Sequence, residues 1–567
     1  MWNSRRSTRD LEPLSSLVVI SPSLRNRVGH YQDYAVRLIE AADRLGFDGR
    51  LATHVDHGPG DDRVAPFFRR SCEFTQQGGA ARGFGPERGQ RWLATLRRRR
   101  PDPVTPADDA SEPTPPDGPR GRSPARTWLA AFFQAWRRIA DRLSDRLSSQ
   151  EFAADLQRLL RALEPRTGDI AFVTDAGVCE LRGLARRVDE PLGRKVAWSV
   201  MLRRDITERN GARWSAADWS SALRDLAAAG GGRVRLYADT EPLARLYGAL
   251  AGVRVGCLPI PVVAAPERPR GETFRVTYLG DARDEKGFPL LAEVIDHFIE
   301  ARREGRMTFV LQSHFNTPRG DPGAAMARAR LEAEQAGVEM VGRALDASAY
   351  ATLLGNADVL ILPYDSEAYR NRSSGVLVEA LSSGAPVVVT AGSWMASQVQ
   401  PYEQAHLEAV GVAADRRTAA DGAIVLDPVQ PGEILVVEVG PGAAARAPLT
   451  LRIDGLSGPR TFSQLREASA VLRVAVPLEA GDRSIRIDPS CGFRLISSFR
   501  LGQEIPTSAV GIIAAPDAPA MEAALWEMMR HPDHYRASAR GVSHGWAQRN
   551  APQSLVAHLV AEARQEA

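Results

Sequence analysis

Short apolar runs alternate with amphipathic stretches along most of this chain. Runs such as residues 17–20 and 196–202 are apolar almost throughout, which is typical of strands buried on both faces of a parallel sheet. Each run leads into a polar loop, and the loop leads into a segment with apolar residues at helical spacing. This repeated order of strand, loop and helix predicts an α/β fold with doubly wound parallel sheets.

The α/β pattern occurs in two series. After a short N-terminal tail, residues 1–14, the first series covers residues 15–265 and the second covers residues 272–400. Residues 264–271, which join them, are rich in proline and charged residues, as is typical of an interdomain linker. We therefore expect two Rossmann-like domains, each with its own parallel sheet.

The pattern changes over residues 401–507. Helical spacing is lost there, and several runs alternate apolar and polar residues with a period of two, separated by Gly, Pro and Asp. This predicts an antiparallel β-sandwich. Because the α/β pattern returns over residues 508–567, we expect the β-sandwich domain to be inserted into the second Rossmann-like domain, with closing helices at the chain end.

Two segments of the first series depart from its pattern. Residues 76–126 are rich in Pro, Asp, Ser and Gly and poor in apolar residues, which predicts a disordered insertion. Residues 128–163 then carry a wide aromatic and apolar stripe at helical spacing. Such a stripe is more often part of a core, but the arginines around it favour a second interpretation, a peripheral membrane contact through residues 94–147.

Composition limits the function classes. The chain has 567 residues, with 72 Lys and Arg against 69 Asp and Glu, and this near balance argues against a general nucleic-acid-binding protein. The four cysteines are far apart and form no CxxC pair, so neither a zinc site nor a disulfide framework is indicated. No apolar run approaches the ~18 residues of a membrane span, and the N-terminus is polar and charged. We expect a cytoplasmic protein, either soluble or attached to the inner face of a membrane.

The candidate chemistry is concentrated in residues 357–394. An apolar strand leads into a polar loop that ends in Ser373 and Ser374, and a short helix follows from about Gly375. The two serines stand where N-cap residues belong, and a helix start has free N–H groups and a positive dipole end. Such a start can bind a diphosphate. Glu379, one helical turn further, is placed to accept hydrogen bonds from adjacent sugar hydroxyls.

This segment resembles the donor-binding segment of retaining family-4 glycosyltransferases, which have the GT-B fold. That family carries a Glu-x7-Glu motif followed by Ala, a small or apolar residue, Gly and Pro-Val. Glu379 and the residues up to Val387 match its second half, whereas Asn371 stands in place of the first Glu. The resemblance implies that Glu379 contacts the donor ribose and makes Asn371 a candidate catalytic residue.

A second resemblance follows the apolar run 274–279. The family has Gly-Arg-Leu-x-x-Glu-Lys-Gly there, and its Arg and Lys hold the donor diphosphate. The matching residues here are Gly280, Glu285, Lys286 and Gly287. Asp281 stands in place of the family Arg, and Arg283 lies two residues later. The resemblance therefore implies that Lys286 binds the diphosphate, with Arg283 as a substitute for the missing Arg. A cation suits a leaving group that gains negative charge.

The family also has a glycine-bearing loop near its N-terminus that faces the cleft between the domains. Gly29, His30 and Tyr31 occupy that place, and His30 is a second candidate catalytic residue, although a histidine at a helix start is as often ordinary. We see no Asp-x-Asp metal motif after a strand, and such enzymes need no bound metal. We therefore expect neither a metal nor another cofactor.

The resemblance implies a glycosyltransferase of the hexosyltransferase type, with a retaining outcome and a role such as polysaccharide biosynthesis. The nucleotide-sugar donor would bind mainly to the second domain, and a glycan or lipid-linked acceptor would enter from the first. Two alternatives stay open. Asn371 and Asp281 favour a non-catalytic protein that binds nucleotide sugars or glycans, and a nucleotide-sugar epimerase is the other alternative. The sequence does not identify the sugar, the base or the acceptor.

Overall fold

The protein is described by a computed structural model. It describes residues 15–25, 30–57, 63–69, 124–206, 214–266, 269, 271–313, 321–333, 336–343, 345–419, 422–430, 432–441, 448–465, 471–502 and 504–565.

The first series of elements forms a parallel sheet. Seven strands among the described residues lie in the order β3-β2-β1-β4-β5-β6-β7. These are β1 Ser16–Ser21, β2 Asp48–His54, β3 Val64–Phe68, β4 Asp169–Val173, β5 Val196–Leu202, β6 Val234–Ala238 and β7 Val255–Cys257. The helices of this series are α1 His30–Arg44, α2 Pro124–Leu163, α3 Val178–Ala185, α4 Ala216–Gly230 and α5 Glu241–Ala251.

Strand β1 shows why its run is apolar throughout. Leu17 and Val19 belong to one apolar cluster, which includes residues of α1. Val18 and Ile20 point the other way, into the cluster that contains residues of α2 to α5. Successive side chains of a strand point to opposite faces, so a strand covered by helices on both sides must be apolar at every position.

The second series also forms a parallel sheet. Six strands among the described residues lie in the order β10-β9-β8-β11-β12-β21. These are β8 Phe274–Tyr278, β9 Met307–Gln312, β10 Val338–Val341, β11 Val359–Leu362, β12 Val387–Thr390 and β21 Gly511–Ala514. Its helices are α6 Phe288–Asp296, α7 Ile299–Arg303, α8 Pro322–Ala333, α9 Ala347–Gly355, α10 Gly375–Ser382, α11 Trp394–Gly411, α12 Ala518–Arg530 and α13 Pro532–Arg549. The two Rossmann-like sheets predicted from the sequence are therefore present.

Between β12 and β21 the chain forms antiparallel structure. In the described ranges, eight strands make two sheets of four, in the orders β13-β20-β15-β18 and β14-β19-β16-β17. They are β13 Arg417–Thr418, β14 Ala423–Val425, β15 Ile434–Pro441, β16 Leu449–Gly455, β17 Gly458–Gln464, β18 Leu472–Pro477, β19 Asp482–Ile487 and β20 Phe493–Leu501. Buried side chains of both sheets form one apolar cluster. We call residues 417–501 the antiparallel region; its assignment as a sandwich stays a prediction.

The antiparallel region starts later than residue 401, where we expected it. Helix α11 runs on through Pro401 to Gly411. Its first half packs in the core of the second sheet, with Val399 buried there, whereas Leu407 joins a small cluster with strands of the antiparallel region. The helix therefore serves both units. His406 Nε2 lies 2.7 Å from the Pro506 carbonyl oxygen, so the outgoing and returning segments lie side by side.

The segment before α2 is only partly described. Of the disordered insertion predicted over residues 76–126, only residues 124–126 are described, and they begin α2 rather than lie in a loop. In the second half of α2, Phe152, Leu156 and Leu160 are buried in the core of the first sheet, as the core interpretation predicted. Membrane contact through residues 94–147 stays a prediction. No helix in the described ranges is long and apolar enough to span a bilayer.

The last helix, α14 Pro552–Arg564, departs from the expected domain boundary. We expected residues 508–567 to complete the second domain, but Leu555, Val556 and Leu559 are buried beside α1 in the core of the first. The hydroxyl of Tyr237 on β6 donates to Glu562 Oε2 at 2.6 Å. The apolar stripe of α14 thus covers the first sheet, and the chain crosses between the two units a second time.

Candidate functional site

The carboxyl end of β8 holds a lysine in a confined position. Gly280 has a φ of +121°, and a Cβ built on it would lie 2.9 Å from Lys286 Nζ and 3.9 Å from the Tyr364 hydroxyl oxygen. The absence of a side chain at Gly280 therefore leaves the space that the Lys286 ammonium uses. Lys286 is also one of only two lysines in a sequence rich in arginine, the other being Lys195.

The surroundings of Lys286 disfavour its charge. Burial lowers the pKa of its ammonium from the usual 10.5 to about 8, against the attraction of Asp281 and Glu285. Its Nζ also lies 5.7 Å from the centre of the Tyr364 ring. A buried ammonium of this kind gains most from an anion that binds next to it, because the anion replaces the lost hydration.

Two arginines near Lys286 are held by carboxylates. Arg283 Nη2 lies 2.8 Å from Asp281 Oδ2, and Arg283 Nη1 lies 3.6 Å from Glu285 Oε1. Arg372 Nη1 lies 3.1 Å from Glu285 Oε2. Burial opposes ionisation of Glu285, but these arginines hold its pKa below the usual value. The predicted substitute cation, Arg283, is thus paired with the Asp that stands in place of the family Arg.

Gly287 fixes the turn that carries Lys286. Its φ is +69°, and a Cβ built on it would lie 1.7 Å from the carbonyl oxygen of Pro363, the residue after β11. Any side chain here would collide with backbone, in addition to the strain of a left-handed conformation. The glycine of the Lys-Gly pair is therefore required by the close packing of two loops at one edge of the sheet.

Helix α10 begins as its sequence predicts. Ser374 is extended at the N-cap, and its Oγ accepts a hydrogen bond from Leu377 N at 3.3 Å. A Cβ on Gly375 would meet no described atom within 4 Å, so the protein itself does not require a glycine there and a ligand has room to approach. One turn on, the Tyr350 hydroxyl donates to Glu379 Oε2 at 2.6 Å.

The loop before α10 is bound to the first domain. Asn371 Nδ2 donates to Asp205 Oδ2 at 2.8 Å, and the Asn371 carbonyl oxygen accepts from Thr240 Oγ1 at 2.5 Å. Ser373 Oγ donates to Asp239 Oδ2 at 2.7 Å. Asn371 and Ser373, which the sequence placed at the donor site, thus also link the carboxyl edges of the two sheets.

Sequence reasoning missed the first-domain side of this cleft. Asp175, Arg203 and Asp239 follow the neighbouring strands β4, β5 and β6, and all three are largely buried. Burial raises the pKa of Asp239 although Arg203 opposes this, and the Arg203 guanidinium stacks 4.4 Å from the centre of the Tyr34 ring. The sequence did contain a signal for this side, because polar residues follow three neighbouring parallel strands. The carboxyl ends of such strands meet at one edge of the sheet, so these residues could have been expected to lie together.

The predicted cleft loop lies mostly outside the described residues. Gly29 is not described, and α1 begins at His30, but the side chains of His30 and Tyr31 are not described either. Their assignment to the cleft, and His30 as a catalytic candidate, stay predictions. Within the described part of the chain, no group of three or more His, Cys, Asp or Glu is arranged to hold a metal ion.

Comparisons with known proteins match both the second domain and the whole fold. Residues 273–420 match the family described as glycosyl transferases group 1. Sucrose-phosphate synthase from Thermosynechococcus elongatus superposes with a TM-score of 0.50 and 12% identity, over 97% of this chain and 99% of that one. An α,α-trehalose-phosphate synthase (UDP-forming) from Burkholderia xenovorans, in complex with glucose-6-phosphate, gives a TM-score of 0.49 and 12% identity over 97% and 100%. No curated protein matches the sequence.

The family match begins just before β8 and ends beyond α11, so it contains both Lys286 and Glu379. The structural similarity shows that the two-sheet fold extends over nearly the whole chain. The resemblances around Lys286 and around Glu379 lie inside the matched segment, whereas the predicted cleft loop at residues 29–31 lies outside it. The chain therefore has the GT-B fold, and its residues 273–420 are similar to group 1 glycosyltransferases, as those resemblances predicted.

Proposed function

We propose that this protein is a glycosyltransferase that uses a nucleotide-sugar donor, bound at the carboxyl edge of the second sheet. The observation that carries the proposal is Lys286, whose ammonium occupies the space beside Gly280 and whose pKa burial lowers to about 8. A nucleoside diphosphate next to this ammonium would stabilise its charged form. The match of residues 273–420 to group 1 glycosyltransferases supports the same assignment.

The second sheet offers two elements for such a diphosphate. The ammonium of Lys286 is one, and the N-terminus of α10, with its Ser374 cap and open space at Gly375, is the other. Negative charge grows on the departing diphosphate as the sugar bond breaks, so a fixed cation and helix dipole stabilise the transition state more than the ground state.

The acceptor would bind on the other side of the cleft. Asn371 and Ser373 join the donor-side loop to the carboxyl ends of β5 and β6, so an acceptor at the first sheet lies beside the donor. We propose a glycan or lipid-linked hydroxyl acceptor, and transfer of a hexose with retention as in the family that the sequence resembles. These finer assignments rest on the resemblance.

A second function is favoured by two departures from the family motifs. Asp281 stands in place of the family Arg and forms a 2.8 Å ion pair with Arg283, which removes one cation from the diphosphate site. Asn371 likewise replaces a carboxylate. Both changes suit a protein that binds a nucleotide sugar without transferring it.

The two lysines provide a direct test. Lys286→Ala should lower turnover of UDP-glucose, ADP-glucose or GDP-mannose, whichever is used, by about 10²–10³-fold while the protein stays folded, because one charged partner of the diphosphate is removed. Lys195→Ala, which changes an exposed lysine of the first domain, is the matched control. Unchanged turnover in Lys286→Ala would contradict the site.

Amine acylation followed by peptide mass spectrometry tests the site without turnover. The sequence contains two lysine ammoniums, so Lys195 serves as an internal reference for Lys286. UDP should protect Lys286 and leave Lys195 unchanged. Protection without turnover of any donor would support the non-catalytic alternative. Absence of protection at Lys286 would contradict its assignment to the diphosphate site.

A further inference from the structure

The antiparallel region contacts the second unit away from the segments through which the chain enters and leaves it. Leu465, directly after β17, packs against Gly392 in the turn between β12 and α11. A Cβ built on Gly392 would lie 2.7 Å from Leu465 Cδ1 and 3.4 Å from Leu465 Cβ, so the leucine lies directly over the glycine. The strands of the second sheet are parallel, and this turn therefore lies at the same carboxyl edge as the proposed donor site.

A second contact holds the antiparallel region beside α11. The Arg473 N–H on β18 donates to Gln404 Oε1 at 2.7 Å, and Gln404 Nε2 donates to the Arg473 carbonyl oxygen at 2.8 Å. Arg473 Nε also lies 3.0 Å from Oε1 of the buried Glu438, which fixes the arginine within the antiparallel region. The region is therefore held at two points, one just before α11 and one near the middle of that helix.

The turn under Leu465 is bonded to the loop that follows β11. The Ser366 hydroxyl donates to the Ala391 carbonyl oxygen at 2.6 Å, and the Trp394 N–H donates to the Tyr369 carbonyl oxygen at 2.7 Å. These two bonds lie on either side of Gly392 along the chain. A shift of the turn would therefore shift the loop as well.

The same loop reaches the residues of the proposed donor site. The Tyr369 ring lies 4.6 Å from the Tyr364 ring, centre to centre, and the Arg372 guanidinium lies 4.6 Å from the centre of the Tyr369 ring. Tyr364 in turn lies beside Lys286. Direct contacts thus connect the antiparallel region with the donor site, and such a packed series can couple the positions of distant groups.

We propose that the antiparallel region is a positioning element for sugar transfer, and that Leu465 acts through the turn after β12 to hold residues 365–374 in their active conformation. This inference rests on the proposed function and gives a role to a region outside the two Rossmann-like units. Lys286 and the start of α10 hold the diphosphate, whereas Asn371, a candidate catalytic residue, lies in the positioned loop. The contact should therefore affect the rate of transfer more than the affinity for the nucleotide.

Steady-state kinetics with UDP-glucose, ADP-glucose or GDP-mannose, whichever is used, test this role. Leu465→Ala should lower kcat about tenfold and leave the donor KM and the UDP Kd within twofold, because a small displacement of a reacting group slows the reaction steeply. Leu465→Met keeps the contact and should retain kcat. Leu456→Ala changes an exposed leucine between β16 and β17 and is the matched control.

The pattern of kcat and affinity separates positioning from a structural role. Leu465 is 41% exposed, so its truncation should leave the fold intact. A fall of kcat in Leu465→Ala that is absent in Leu465→Met and Leu456→Ala supports the proposal. Unchanged kcat in Leu465→Ala would overturn it, and so would an equal loss of UDP affinity, which indicates general disruption of the second unit.

Amide hydrogen exchange tests the contact in a protein that turns over none of the donors offered. Leu465→Ala should speed exchange severalfold in peptides covering residues 365–374 and 391–396, because the bonds between the loop and the turn lose their support. A peptide covering β16 should be unchanged. Faster exchange without turnover in the unaltered protein would support the positioning of the loop while contradicting the transferase function. Unchanged exchange in both peptides would overturn the inference, whatever the turnover.

Discussion

The carboxyl edges of the two parallel sheets present opposite charge to one cleft. At the second sheet, Lys286, Arg283 and Arg372 are gathered around two carboxylates. At the first sheet, Asp175 and Asp239 follow β4 and β6, and the Arg203 guanidinium lies 3.9 Å from Asp239 Oδ2. Both sets follow strands of the same Rossmann-like arrangement. The comparison shows that the fold fixes where a site forms, whereas the residues after each strand decide what it binds.

Two glycines with positive φ, one in each unit, differ in how closely other residues approach them. Gly287, after β8, lies against the backbone of Pro363, whereas Gly46, between α1 and β2, also has a positive φ but meets no described atom within 4 Å of its Cβ position. Only the first of these glycines is needed for close approach. We call the carboxyl edge of the second sheet, with Lys286, Arg283 and Arg372, the cationic edge. The turn that carries Lys286 is crowded at Gly287, so few other residues can replace this glycine.

The largest effect is expected from a test of this difference in crowding. Gly287→Ala should lower the free energy of unfolding of the second unit by about 3 kcal/mol or more, from left-handed strain together with a backbone collision. Gly46→Ala should cost only about 1 kcal/mol, for the conformation alone. Denaturant unfolding measures both. Equal losses in the two variants would mean that the Pro363 contact does not constrain the turn.

The lowered pKa of Lys286 makes the cationic edge sensitive to pH. UDP should bind roughly tenfold more weakly at about pH 9.5 than at about pH 7, because the ammonium deprotonates above about pH 8. Calorimetric titration across this range measures the change, and Lys286→Ala should abolish it. A flat profile in the unaltered protein would show that Lys286 does not contact the nucleotide.

Lys286 also affects the stability of the fold, and here the dependence on pH has the opposite sign. The UDP affinity falls as pH rises, whereas the contribution of Lys286 to the free energy of unfolding increases. Its pKa is lower in the folded than in the unfolded chain, so the unfolded chain binds more protons between about pH 8 and the usual 10.5. The contribution of Lys286 therefore favours folding increasingly as pH rises through that window. Unfolding curves of the protein and of Lys286→Ala should diverge there, with the unaltered protein gaining stability relative to the variant.

A smaller effect should follow a change in the helix that joins the units. Glu562→Gln weakens the bonds from Tyr237 and Arg235 to the end of α14, and we expect it to cost about 1 kcal/mol of first-unit stability. Arg564→Gln changes an exposed residue on the same helix and serves as the control. If both variants unfold like the unaltered protein, α14 is held by its apolar stripe alone.

The smallest effect on nucleotide binding is expected from removal of the antiparallel region. Replacement of residues 413–505 by a short Gly-Ser linker should leave the UDP affinity within twofold, because His406 and Pro506 already lie side by side and β12 pairs directly with β21. Loss of UDP binding would place the antiparallel region within the donor unit. Weaker acceptor use with unchanged UDP affinity would assign it to the acceptor side.

Sequence reasoning placed the fold more fully than the site. Lys286 and Glu379 were identified through local motifs, and the structure places them in loops and helices of one sheet edge. Arg283 was expected to face the diphosphate, but its pairing with Asp281 depends on side-chain packing that the motif does not express. Asp175 and Asp239 were given no role, since a carboxylate after a strand is common and only its unsatisfied burial distinguishes it.

The sequence by itself determined the two parallel sheets, the change to antiparallel strands and the capped start of α10. Each of these depends on periodicity or on neighbours within a few residues, which a linear pattern records. Only the tertiary structure decided that Asn371 meets Asp205, 166 residues away, and that Ser373 meets Asp239, 134 residues away. It also decided that α11 continues past Pro401 and that α14 covers the first sheet. These outcomes depend on surfaces that exist only after the sheets have formed, so no local pattern contains them.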